Sequence, residues 1–204
     1  VTPVANQGLK FNSSADGFEA GAAGGAMTFI SKQTASSSST ISFTSGIDST
    51  YKEYIFHFNN IHPGTDSVSF DFNLSIDSGS NYNVTKTSST FAAFHGEDGV
   101  ETAVNYGTVQ DLAQSTAFQK LTVLSSLGIE NDESLSGTLH LFNPSNTTFV
   151  KHYIATTNFN STSDFQMNSY IAGYGNTTSA VDAVQFKMSS GNIDAGTITL
   201  YGIN

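Results

Sequence analysis

Residues 68–76 read V-S-F-D-F-N-L-S-I, the cleanest alternation in the chain. Val68, Phe70, Phe72, Leu74 and Ile76 fall on one side of an extended segment, and Ser69, Asp71, Asn73 and Ser75 on the other. Strand side chains alternate faces with a period of two. The apolar set must therefore be buried, and a slip of one residue would expose all five groups. The same grammar recurs along the chain. It is legible at 27–33, at Ile41 and Phe43, at Tyr54, Phe56 and Phe58, and at 90–95. It returns at 121–124, at Leu135, Leu139 and Leu141, at 149–158 and at 165–174. Near the end, Val184, Phe186 and Met188 alternate with Gln185 and Lys187, and Ile198 and Leu200 alternate with Thr197, Thr199 and Tyr201. Between them, residues 189–196 carry glycine, Asn and Asp, which is turn chemistry, so 182–203 reads as a closing β-hairpin.

About ten or eleven short strands at near-even spacing, with hairpin-length loops, imply an all-β antiparallel sandwich of jelly-roll-like type; a single long barrel is the alternative. Residues 96–120 are the least regular interior stretch. There Val109, Leu112 and Ala113 fit one face of a short helix over 109–118. Residues 1–26 are the least strand-like, with Gly17, Gly21, Gly24 and Gly25 among alanines. They read as an extended, flexible arm ahead of a sandwich domain over 27–204, with Leu9, Phe11 and Phe18 as anchor points on another subunit.

Composition narrows the partners. The 204 residues contain no Arg, seven Lys against seventeen Asp and Glu, and a formal charge of −10. Phosphate recognition needs clustered cations, so nucleic acid is disfavoured, as is electrostatic attachment to anionic lipid. No run of apolar residues is long enough for a membrane-spanning helix. The first residues lack the charged and apolar regions of a signal peptide, and a Val start fits a processed chain or a fragment. Cysteine is absent, which removes disulfides, thiolate metal sites and a Cys nucleophile. Ser and Thr make up roughly a quarter of the chain, an uncharged polar surface of the kind found on extracellular and virion β proteins.

Chemistry is sparse. His57, His62, His95, His140 and His152 form no H-E-x-x-H or i, i+4 pair, and no G-x-S-x-G elbow is present. Two acidic groups stand out: Glu97, Asp98 and Glu101, and then Glu130, Asp132 and Glu133. The second is the candidate Ca²⁺ site, since carboxylates are hard oxygen ligands, although it matches no EF-hand; solvated loop acid is the plainer reading, and no other cofactor is expected. Tyr82, Tyr106, Tyr170 and Tyr174 lie at or near expected loops and are the candidate ligand-binding residues, able to stack on sugar rings. Subunit-interface tyrosines are the alternative. Six N-x-[ST] sequons, at Asn12, Asn73, Asn83, Asn146, Asn160 and Asn176, fit chance in a chain this rich in Asn, Ser and Thr.

Four segments carry a family resemblance. They are T-A-S-S-S-S-T-I-S-F-T-S-G-I-D-S-T-Y-K-E-Y-I-F at 34–56, D-S-G-S-N-Y-N-V at 77–84, S-L-S-G-T-L-H-L-F-N-P at 134–144, and the terminal F-K-M-S-S-G-N-I-D-A-G-T-I-T-L-Y-G-I. With these the chain resembles structural proteins of tailed bacteriophages, especially those of marine bacteria. The resemblance implies a non-enzymatic virion component on the particle surface: a tail fibre or appendage module for host attachment, or a capsid decoration protein. A free-standing lectin-like module is the reading outside a virus, and a polysaccharide depolymerase the enzymatic one. Expected partners are other virion proteins, a host-surface glycan, and further copies of the chain in a homo-oligomer, with a trimer favoured by analogy.

Overall fold

A computed structural model describes residues 7–22 and 26–203. Strands are numbered in chain order. The first two, β1 (Gln7–Phe11) and β2 (Phe18–Ala22), form a separate antiparallel hairpin. An eight-stranded sheet has the order β3 (Met27–Thr34), β14 (Ile193–Ile203), β5 (Glu53–Pro63), β10 (Leu135–Phe142), β11 (Lys151–Asn160), β12 (Phe165–Gly175), β7 (Lys86–Gly96) and β8 (Thr102–Tyr106). A four-stranded sheet has the order β4 (Ile41–Phe43), β13 (Ala183–Met188), β6 (Phe70–Ser75) and β9 (Gln119–Lys120). Every pairing is antiparallel, and the two sheets pack face to face as the expected β-sandwich.

The core lies between the sheets. Phe186 is its centre: the ring lies 5.2–5.8 Å from those of Phe56, Phe58 and Phe70, and 6.3 and 6.4 Å from those of Phe43 and Phe72. Four of these five come from the alternating segments of β5 and β6, so strand periodicity alone delivers the aromatic set to one place. Phe72 then meets Tyr153 of β11 edge-on at 5.1 Å, which joins this cluster to the far half of the large sheet.

Several sequence expectations are corrected. The closing segment is not a hairpin. β13 pairs with β4 and β6, whereas β14 pairs with β3 and β5, so residues 189–192 carry the chain from one sheet to the other. Alternation marks which side chains are buried but not which sheet receives them, and a hairpin and a crossover have the same pattern. No helix forms at 109–118: those residues run as turns and an isolated bridge, with Lys86 and Ser115 exchanging backbone hydrogen bonds. Residues 121–124 are not a strand, although 121–123 are buried. Thr157 Oγ1 donates to the Leu121 carbonyl at 2.5 Å, and the Val123 N–H donates to Ser169 Oγ at 3.0 Å. The Leu121 N–H still reaches the Phe70 carbonyl of β6 at 2.7 Å, and beyond it side chains take the place of a ladder partner. Strand β8, inside the stretch read as irregular, and the β1–β2 hairpin, inside the stretch read as an arm poor in strands, are both present.

The polar face of β6 is also buried, contrary to the expectation of one wet face, while Ile76 is 43 % exposed. Asn73 is covered by two loops, to whose Tyr82 and Thr116 carbonyls its amide donates at 2.7 and 3.0 Å. Asp71 stands between Lys120 of β9 and Lys187 of β13 in one cross-strand row. Burial pushes its carboxyl up to about 6, against the opposing pull of the neighbouring Ser69 hydroxyl and the two lysines.

Bulges bend the middle of β5. The Asn60 N–H donates to Ser136 Oγ at 3.1 Å instead of a ladder carbonyl, and the register with β10 shifts between Leu135 and Gly137. On the other side, Gly196 of β14 has φ +112°, and a Cβ there would sit 2.5 Å from the Asn60 carbonyl oxygen. Only glycine fits this approach.

Candidate binding face on the large sheet

Strands β11, β12, β7 and β8 bury one set of alternate residues and present the other. Inward go Tyr153, Ala155, Thr157, Ser169, Ile171, Thr90 and Ala92, all buried. Outward go His152, Ile154, Tyr170, Ala172, Tyr174, Ser89, Phe91 and Tyr106. Register then sets the outward residues in rows across the strands. One row is Tyr106, Phe91, Tyr170 and Thr156; the next is Ser89, Ala172, Ile154 and His140; the third contains Thr87, Tyr174 and His152.

The middle row holds small residues at β7 and β12, between two rows of large ones. A trough follows. Its main part, about 530 Å³, is lined by Thr87, Ser89, Phe142, His152, Ala172 and Tyr174, over Ile154. An adjoining hollow of about 190 Å³ shares Ser89, Ile154 and Ala172 and is walled by Phe91 and Tyr170. No Lys, Asp or Glu lines either depression.

The walls are aromatic. Phe91 and Tyr170 stack with centroids 4.8 Å apart and planes 12° from parallel, and both residues are exposed. Asn168, two residues along β12 on the same face, donates its amide to the Tyr170 hydroxyl at 2.9 Å. The Tyr106 hydroxyl donates to Asp111 at 3.0 Å; this bond to a carboxylate is the main reason its phenol is held above the usual range. His152 meets Tyr174 edge-on at 6.1 Å, and the Gln114 amide approaches the Tyr174 hydroxyl at 3.4 Å. Farther along the sheet, His140 stacks on Phe142 at 6.3 Å and its Nδ1 lies 2.6 Å from Glu53.

Of the four tyrosines singled out from sequence, three share this face. Tyr170 and Tyr174 stand within β12 rather than at loop tips, and Tyr106 ends β8. Tyr82 lies elsewhere: its hydroxyl is buried under the turn at Gly79, where a Cβ would come within 2.7 Å of it. Phe91, Phe142, Ile154 and Ala172 were not singled out. The available signal for Phe91 was T-F-A-A-F-H, where alternation puts Phe91 and Phe94 on opposite sides of one strand.

The acidic groups are engaged locally. Glu133 turns back to accept the Glu130 N–H at 2.8 Å, and Asp132 approaches the Asn160 amide at 3.5 Å. Glu97 accepts from Asn160 at 3.1 Å, and Asp98 from the Val100 N–H at 2.9 Å. Among the described residues, no group of three or more His, Asp or Glu is gathered as a metal ion would require. On the β1–β2 hairpin, Phe11 and Phe18 stack at 4.7 Å, and both they and Leu9 remain more than half exposed.

The sequence matches no protein-family model and no curated protein. Among solved structures, that of the infectious bursal disease virus Gx strain aligns with 95% of this chain and 44% of its own at 11% identity, with a TM-score of 0.16. A superposition that poor carries no argument about fold or role.

Proposed function

We propose that this protein is a non-enzymatic surface module of a tailed-phage particle, placed on a tail fibre or appendage, and that the outward face of β11, β12, β7 and β8 holds a neutral saccharide of the host surface. The observation that carries the binding reading is the trough itself: the stacked Phe91–Tyr170 pair on one side, Tyr174 and Phe142 on the other, and a small-residue floor. Aromatic faces carry negative charge density that attracts the polarised C–H groups of a pyranose ring. Hydroxyls of Thr87, Ser89 and Tyr170 and the Asn168 amide can both give and accept hydrogen bonds, as sugar hydroxyls require. The net charge of −10 repels polyanions, which selects neutral sugars over acidic ones. The particle assignment rests on the four segments that resemble phage structural proteins.

Attachment to the particle is assigned to the β1–β2 hairpin. An isolated two-stranded hairpin is marginal in water, and this one presents Leu9, Phe11 and Phe18 as an apolar tip for a neighbouring subunit. The test of the binding face is an array of immobilised neutral and acidic bacterial polysaccharides probed with the purified protein. Retention on neutral glycans that is lost in Phe91→Ala and Tyr170→Ala supports the reading. Equal retention by wild type and both variants, or none by wild type, refutes it.

A further inference from the structure

We propose that Lys86 and Asn73 join in an intramolecular isopeptide bond, Nζ to Cγ, that ties the two sheets together. Lys86 opens β7 in the eight-stranded sheet, and Asn73 stands in β6 of the four-stranded one. Both side chains are fully buried, and Lys86 Nζ contacts Asn73 Oδ1. The other acceptor of the amine is the Val84 carbonyl at 2.8 Å, so both its partners are neutral.

Three features suit acyl transfer. Burial holds the Lys86 ammonium down to about 7, so near neutral pH a large fraction carries the free lone pair that a nucleophile needs. The Asn73 amide is fixed in orientation: its nitrogen donates to the Tyr82 and Thr116 carbonyls at 2.7 and 3.0 Å, which turns Oδ1 toward the amine. Oδ1 also accepts the Leu74 N–H at 2.9 Å, a donor already aimed at the oxygen that becomes negative in the tetrahedral intermediate. Reactants held in contact inside a dry core gain the proximity advantage of an intramolecular reaction.

The step balances without a co-reactant. Nζ of neutral Lys86 bonds to Cγ of Asn73, one Nζ hydrogen passes to Nδ2, the Cγ–Nδ2 bond breaks, and ammonia leaves. The product is a secondary amide that closes the loop from 73 to 86. In a chain without cysteine it does what a disulfide would do, limiting the unfolded ensemble while bridging two sheets.

Intact mass and tryptic mapping of the purified full chain test this. The chain is expected to weigh less than its sequence by one ammonia, about 17 Da. Trypsin should fail to cut after Lys86, leaving 53–120 as one peptide whose fragment ions place the link between Asn73 and Lys86. Asn73→Ala should restore both the full sequence mass and cleavage after Lys86. A wild-type chain at its full sequence mass overturns the proposal. So does ammonia loss with Lys86 still cleaved, since the ammonia then left by another route, such as an asparagine cyclising onto the next backbone nitrogen.

Discussion

Asp71→Asn should make the protein more stable at neutral pH, and the size of the gain follows from the site. Asp71 is buried in the row between Lys187 and Lys120, with one carboxylate oxygen lacking any hydrogen-bond partner. Its folded pKa of about 6 stands above the ordinary 3.8, burial being the main cause. The folded state therefore binds a proton that the unfolded chain has already released between those two values. In that window the native state holds more protons, so stability falls as pH rises from 3.8 to 6, and the full cost persists above 6. The displacement corresponds to ~3 kcal/mol. Asn keeps the shape without the charge. Urea unfolding followed by far-UV circular dichroism should give a variant more stable than wild type by ~2–3 kcal/mol at pH 8 and nearly equal at pH 4. A difference between the two proteins that stays constant from pH 4 to 8 would refute the reasoning, because it would mean the buried carboxyl does not titrate in that window.

Phe186→Ala removes the ring shared by five neighbours and should cost ~3–5 kcal/mol in the same urea assay, while Phe72→Asp should yield no soluble folded protein. Gly196→Ala forces a side chain into left-handed backbone against the Asn60 carbonyl and should lower stability by ~1–3 kcal/mol; an unchanged midpoint would contradict the bulge geometry. Phe91→Ala and Tyr170→Ala, by contrast, lie on the open face and should each change stability by less than ~1 kcal/mol, so their loss of glycan retention would report binding rather than folding. Deleting residues 1–26 should leave the melting transition of the sandwich in place while the chain no longer incorporates into particles; incorporation of the truncated chain would remove the hairpin's assigned role.

Much of the sandwich was legible because strands announce themselves by alternation, and β3, β5, β10, β11 and β12 lie close to where their apolar periodicity puts them. What periodicity does not encode is partner choice. β13 and β14 look like the two arms of a hairpin, yet Val184 and Phe186 enter the core from one sheet and Ile198 and Leu200 from the other. Polar burial was equally hidden. Asn73 and Asp71 read as solvent-facing because loops that cover a sheet leave no periodic trace. Lys86 and Lys151 carried no sequence signal of burial either; Lys151 is satisfied by the Phe149 and Thr177 carbonyls at 2.6 and 3.2 Å, both from loops. The candidate face was half legible. Tyrosines are conspicuous, but their grouping with Phe91 and Ile154 depends on the register of four strands, and the trough on two small residues, Ser89 and Ala172, that attract no notice alone.

The most direct test of the assigned role is where the protein sits on the particle. Intact virions labelled with an antibody to this chain and imaged by electron microscopy should carry label on the tail or on protruding filaments. Label spread over the capsid lattice would contradict the appendage assignment in favour of decoration, and particles free of label would contradict the virion assignment altogether.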